Sequence, residues 1–118
     1  MIIAVDFDGV LTPNGHWPSV GEPNTTVIEW LKVLRENGDR LILWTNRVGE
    51  ALETAVDFCR SHGLEFDAVN ENLPDIIEYY GSDCRKVYAN YYIDDRAVCI
   101  RFERGMEYIN ERIREQNY

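Results

Sequence analysis

Basic residues are scarce in this chain. Its 118 residues hold 12 Lys and Arg against 21 Asp and Glu, a formal net charge of −9. A surface of that sign repels phosphate backbones and argues against a protein that coats nucleic acid. It does not exclude a phosphorylated substrate, because a bound divalent cation reverses the local field. Cysteine is scarce as well. Cys59, Cys84 and Cys99 are too few and too scattered for a disulfide framework. There is no Cys-x-x-Cys pair and no zinc-type Cys/His spacing. Long apolar runs are missing: nothing approaches the roughly 20 residues of a membrane-spanning helix. The opening run Met1–Val5 follows no basic segment and is too short for a secretory signal. These absences predict a cytoplasmic protein with reduced thiols and no membrane partner. The length and an apolar content of 45% predict one globular domain over residues 1–118.

What is present is an alternation of apolar runs and helical patterns, the signature of an α/β domain with a mostly parallel central sheet. A strand is expected over Ile2 to Phe7. Three of the four prolines fall between Thr12 and Pro23, which reads as a loop or flap. Asn24 caps a helix whose Val27, Trp30, Leu31 and Leu34 share a face, with Gly38 near its end. A second strand covers Arg40 to Thr45. A second helix runs from Gly49 to His62, striped by Leu52, Ala55, Val56 and Cys59, and Gly63 stops it. Phe66–Val69 is a short third strand, and Pro74 starts a short helix that Gly81 ends. Val87–Ile93 is a fourth strand. Val98–Phe102 reads as a fifth, edge strand. Met106, Ile109 and Ile113 predict a last amphipathic helix.

The most informative segment is Asp6-Phe7-Asp8-Gly9-Val10-Leu11-Thr12. A buried strand rarely ends in acid without a reason. Two carboxylates two residues apart project toward one side and repel each other, so a cation between them is expected. Gly9 lets the backbone approach a bound group closely. Asp6, Thr45 and Asp94 each stand at the carboxyl end of an expected strand, where open α/β sheets bind ligands. Together with Asp8 and Lys86 they supply the parts of phosphoryl transfer. Asp6 can attack phosphorus, and Asp8 can protonate the leaving oxygen and then activate water. Thr45 offers a hydroxyl and Lys86 a positive charge. Asp94, or Asp95 beside it, can hold Mg²⁺ with Asp6 and a backbone carbonyl near Asp8. These are the hard oxygen ligands that ion prefers.

These residues resemble the haloacid dehalogenase superfamily over Ile2 to about Arg96. The first motif of that family is Asp6-Phe7-Asp8-Gly9-Val10-Leu11-Thr12 here. The second is Leu41-Ile42-Leu43-Trp44-Thr45-Asn46, the third Lys86 with Arg85 beside it, and the fourth Ile93-Asp94-Asp95. The resemblance implies a three-layer Rossmann-like fold and an Mg²⁺-dependent phosphohydrolase acting through an aspartyl-phosphate. Asp6, Asp8, Thr45 and Lys86 would be catalytic. Gly9, Asn46 and Arg47 would bind substrate. Asp6, Asp8, Asp94 and Asp95 would hold the metal, Asp8 through its backbone. An Asp at position 8 is the mark of phosphatases and mutases rather than dehalogenases. No cap domain fits into either gap between motifs, so the site is expected to be open. It would take a phosphorylated small molecule, or a nucleic-acid end, or be covered by a second copy of the chain.

Other readings stand beside these. Arg47 either grips a substrate phosphate or carboxylate, or serves as an ion-pair partner. Trp17 either stacks on a substrate base or sugar, or packs the flap onto the domain. The whole chain could be a phosphate- or metal-binding module with little or no turnover. A phosphorylation-controlled receiver domain has similar length, but its acceptor Asp lies after the third strand, whereas Asp67 lies inside one.

Overall fold

In the computed structural model, which describes residues 1–98, 100–103 and 106–109, four parallel strands form the central sheet. They are β1 (Ile2–Val5), β2 (Arg40–Leu43), β3 (Ala68–Val69) and β4 (Tyr91–Ile93), in the order β3-β2-β1-β4. The helices between them are α1 (Thr25–Glu36), α2 (Gly49–Ser61) and α3 (Pro74–Tyr80). The fold is α/β and Rossmann-like, with helices on both faces of the sheet and no cap among the described residues. No helix among the described residues is long and apolar enough to cross a membrane.

All four residues of β1 are buried, because a parallel strand covered on both faces must be apolar throughout. Alternation sorts them. Ile3 and Val5 face Ile28 and Leu31 of α1 and Ala55 and Cys59 of α2. Ile2 and Ala4 face the other layer, with Ile42, Ala68, Leu73 and Val87. Each fully buried Leu or Ile contributes about 1.5–3 kcal/mol. On α1 the buried pair is Ile28 and Leu31, while Trp30, expected in the stripe, is half exposed. Asn24 caps that helix, its side chain accepting from the Val27 N–H. Burial pushes the free Cys59 thiol up to about 12, as befits an inert core cysteine. Cys84 is exposed, and Cys99 lies outside the described residues.

The end of the chain departs from expectation. β5 (Ile100–Glu103) and β6 (Met106–Ile109) pair antiparallel as a separate two-stranded sheet, not as an edge of the main one. The helix expected from Met106 is therefore a strand as far as Ile109, and Ile113 lies outside the described residues. Apolar residues three apart fit a helix and an irregular strand alike. Only Arg104 and Gly105 separate the two runs in sequence, which is hairpin spacing. A partner so near in the chain outweighs the helical pattern.

Two devices place the site. Register Val5↔Ile93 sets the residues after β1 and β4 side by side, and Asp6 N–H donates to the Ile93 carbonyl at 2.9 Å. The strand order turns back across β1, so the β1–β4 crevice is the topological switch point. The flap from Thr12 to Pro23 is cinched at its base. Thr12 Oγ1 accepts from Gly21 N–H at 2.7 Å, and Asn24 N–H donates to the Leu11 carbonyl at 2.8 Å. Gly15 and Gly21 touch backbone to backbone where the two arms of the flap meet, so neither has room for a side chain.

Candidate active site

After β1 the chain winds round one carbonyl. Phe7 is fully buried, and its oxygen accepts from the N–H groups of Val10, Leu11 and Thr12. Asp6 and Asp8 flank it and emerge toward solvent. With Gly9, Thr45, Asn46, Asp94, Asp95 and Arg96 they line an open hollow of about 460 Å³. A smaller recess beside it is lined by Asp6, Trp44, Thr45, Asn46 and Asp94. The structure thus brings together seven of the expected site residues, contributed by three separate strand ends.

Asp6, Asp94 and Asp95 offer carboxylate oxygens that all lie within 4.8 Å of one another. Burial, with the like charges of Asp94, Asp95 and Asp8, raises Asp6 to about 6, against the relief of an N–H from Phe7. That N–H donates to Asp6 Oδ1 at 2.7 Å, which leaves Oδ2 open. Oxygens round one octahedral Mg²⁺ stand about 3–4 Å apart, given bonds of about 2.1 Å. A slight inward movement of three hard donors therefore suits that ion. Both members of the Asp94-Asp95 pair belong to the cluster. Asp8 does not, because its carboxylate turns away, which leaves only its backbone for a metal.

Arg47 explains that turn. Its Nε donates to Asp8 Oδ2 at 2.9 Å and its Nη2 to Asp8 Oδ1 at 2.8 Å. Nη1 donates to the carbonyls of Pro18 and Ala51, and Nη2 also to that of Ser19. All five N–H donors of the guanidinium are in use. The side chain is fully buried, sandwiched between the Phe7 ring at 4.9 Å and the Trp17 ring at 4.8 Å. Arg47 is therefore not a substrate ligand but the bolt joining flap, Asp8 and α2.

Lys86 does not line the hollow either. Its Nζ lies 5.1 Å from the Tyr92 ring centroid, in a groove lined by Asn72, Ile76, Tyr80 and Tyr88. Buried Asn72, just after β3, fixes the segment that carries Lys86, accepting from Tyr88 N–H at 2.7 Å and donating to the Cys84 carbonyl at 2.9 Å. Val87, next to Lys86, packs on the α3 face of the sheet with Ile42, Ala68 and Leu73. The cation that does line the hollow is Arg96, next after the acid pair, whose backbone N–H donates to Asp94 Oδ1.

Gly9 also changes role. Its φ is +85°, and a Cβ there would collide with the Asp95 carboxylate. The group in close approach is Asp95, so Gly9 makes room for the acid cluster before any substrate. Thr45 Oγ1 accepts from Arg47 N–H at 3.2 Å, which leaves its own proton free for the hollow. Asn70, which no motif singled out, fixes this loop: its Oδ1 accepts from Thr45 N–H at 2.8 Å, and its Nδ2 donates to the Arg47 carbonyl. Its φ of +54° is one that Asn tolerates, and an Asn just after a strand end was the available signal. Asp67, the acceptor a receiver domain would need, instead binds Arg35 and the Leu41 N–H near the start of β2.

No family model matches the chain, and no curated protein matches it. Among solved structures it is similar to a conserved protein from Bacteroides thetaiotaomicron. The two share 44% sequence identity and a TM-score of 0.72, over 82% of this chain and 77% of that one. This chain belongs to that protein's family. Identity at that level over so much of both chains extends the likeness from fold to sequence. The relative's name states no activity, so function is argued from the site itself.

Proposed function

We propose that this chain is an Mg²⁺-dependent phosphomonoesterase of the haloacid dehalogenase type, working through an aspartyl-phosphate on Asp6. The observation that carries this reading is the place of Asp6. It stands at the switch point, with one oxygen free, among two further carboxylates and opposite a Thr45 hydroxyl whose proton is unspent.

Mg²⁺ held by Asp6, Asp94 and Asp95 would neutralise the phosphate oxygens and the charge that develops on them. The chain's own residues do the rest. Thr45 and Asn46 donate hydrogen bonds to non-bridging oxygens, and Arg96 adds positive charge from the rim. The Asp6 oxygen forms a bond to phosphorus while the ester bond breaks, and the departing oxygen takes a proton that Asp8, charged at rest in its ion pair, relays from the phosphate monoester monoanion. A water then gives its proton to Asp8 and attacks phosphorus, breaking the bond to Asp6 and releasing phosphate. Asp8 acts from within its ion pair, since each of its oxygens keeps a lone pair clear of the Arg47 fork. An open hollow with no cap suits a small phosphorylated molecule in a cytoplasmic setting.

Two observations favour the second reading, a metal- and phosphate-binding module with little turnover: Lys86 lines a separate groove, and Asp8 is ion-paired. Phosphate release from a generic aryl phosphate separates the two. The expected result is turnover with Mg²⁺ that disappears with a chelator. Phosphate binding without release, at any metal concentration, supports the module instead.

A further inference from the structure

The geometry points to Trp17 as a stacking platform for the base of a nucleoside monophosphate, an inference that rests on reading the acid pocket as a phosphate-ester site. The indole lines the same hollow as Asp6 and Asp8, yet it is 64% exposed. It is not a loose flap side chain. One face rests on the Arg47 guanidinium, which rests in turn on the buried Phe7 ring. Arg47 also holds the carbonyls of Pro18 and Ser19, the next two residues along the flap. The indole is thus fixed from below and from its own backbone, while most of its surface stays open. A large, rigid aromatic face held beside a polar reaction centre gains most when a flat ligand covers it.

The dimensions agree. At about 460 Å³ the hollow exceeds what a phosphate alone fills, and lies within the usual range of small-molecule sites. Trp17 is the one aromatic residue lining it among the described residues. A phosphate set at Asp6 and Thr45 leaves its attached group to meet that ring. Stacking rewards any planar base and discriminates little among bases, whereas a polyol phosphate offers no flat face. Charge selects a monophosphate: the acids of the site and the net charge of −9 oppose a polyphosphate tail or a long strand. A nucleic-acid end presents the same base beside a monoester, and its charge places it second.

The test compares kcat/KM for adenosine monophosphate, a short oligonucleotide with a terminal phosphate, and glycerol phosphate, using the full chain with Mg²⁺. Wild type is expected to prefer adenosine monophosphate. Trp17→Ala should cut its preference over glycerol phosphate about tenfold or more, chiefly through KM, and Trp17→Phe should keep most of it. Binding is read separately, as quenching of indole fluorescence by adenosine monophosphate. Because Trp44 lines the recess beside Asp6, quenching is read in a Trp44→Phe background, where it should be strong with Trp17 present and largely lost in Trp17→Phe. An unchanged preference in a folded Trp17→Ala, or equal quenching in Trp17→Phe, overturns the platform while leaving a phosphatase intact. Trp17-dependent quenching with no phosphate released from any ester keeps the platform and removes the phosphatase. A higher kcat/KM for the oligonucleotide than for the mononucleotide overturns the mononucleotide assignment.

Discussion

Asp6 and Asp8 leave the same turn two residues apart, yet their surroundings have little in common. Asp8 spends both oxygens on a buried Arg47 that is itself saturated with acceptors. Asp6 meets no cationic side chain among the described residues and faces Asp94 and Asp95 instead. One carboxylate has its charge settled inside the protein. The other has its charge left over, and burial makes that surplus costly. The contrast explains how neighbouring acids take unlike roles. Under the proposed function, the pre-paired acid is fixed in place to move protons, while the unpaired one is left for a metal and for phosphorus.

Breaking the settled side should have the largest effect. Arg47→Ala leaves three carbonyls without their donor, strips Asp8 of its partner and removes the layer between Phe7 and Trp17. We expect a loss of about 3 kcal/mol or more in urea unfolding, the usual cost of breaking a buried ion pair. Arg47→Lys should recover only a small part, because an ammonium cannot fork across Asp8 and still reach the flap.

The unsettled side is sharpened by pH. Asp6 has a folded pKa of about 6 against an ordinary value of 3.8, so between these values the folded state binds the extra proton. Its contribution to stability is therefore present at low pH and lost as pH rises toward 6. In the metal-free protein, wild type should lose stability relative to Asp6→Asn as pH rises from about 4 to about 6. Taking this difference cancels Asp75 and Asp83, whose carboxyls are held below the usual range by Arg40 and Asn72 respectively and act in the opposite direction. Mg²⁺ reverses the trend. Near 100 times its Kd, Mg²⁺ should add about 2.7 kcal/mol at pH 7.5, on the order of 10 °C in Tm. At pH 5, with Asp6 mostly protonated, the same Mg²⁺ concentration should add only about half as much.

These contrasts also mark what the sequence can carry. Asp6, Thr45 and Asp94 were legible because a parallel strand that turns from apolar to polar exposes its last residue at the ligand-binding edge. That logic also located β1, β2 and the three helices. Lys86 was not legible, because nearness in sequence to Asp94 does not say which groove a side chain lines. Arg47 could be read as a possible ion-pair partner but not as a bolt, since its acceptors are backbone carbonyls brought in by the flap. Asn70 works through a left-handed backbone that leaves little sequence trace. β6 was missed because four residues cannot distinguish helix from strand without their partner.

The smallest expected effects compare the two cations that motif and structure assign differently. Arg96→Ala should lower kcat/KM for an aryl phosphate about tenfold, the worth of one charged contact to phosphate. Lys86→Ala should stay within about twofold, because Lys86 is exposed and lines a different groove, where solvent screens its charge. The reverse order would return the phosphate-binding role to Lys86.

The most direct test of the central claim is phosphate release by Asp6→Asn beside wild type, with Mg²⁺ and with a chelator. The account predicts metal-dependent release by wild type and none by the variant, which should remain folded and, without metal, be at least as stable as wild type at pH 7.5. Release by Asp6→Asn at the wild-type rate would contradict it.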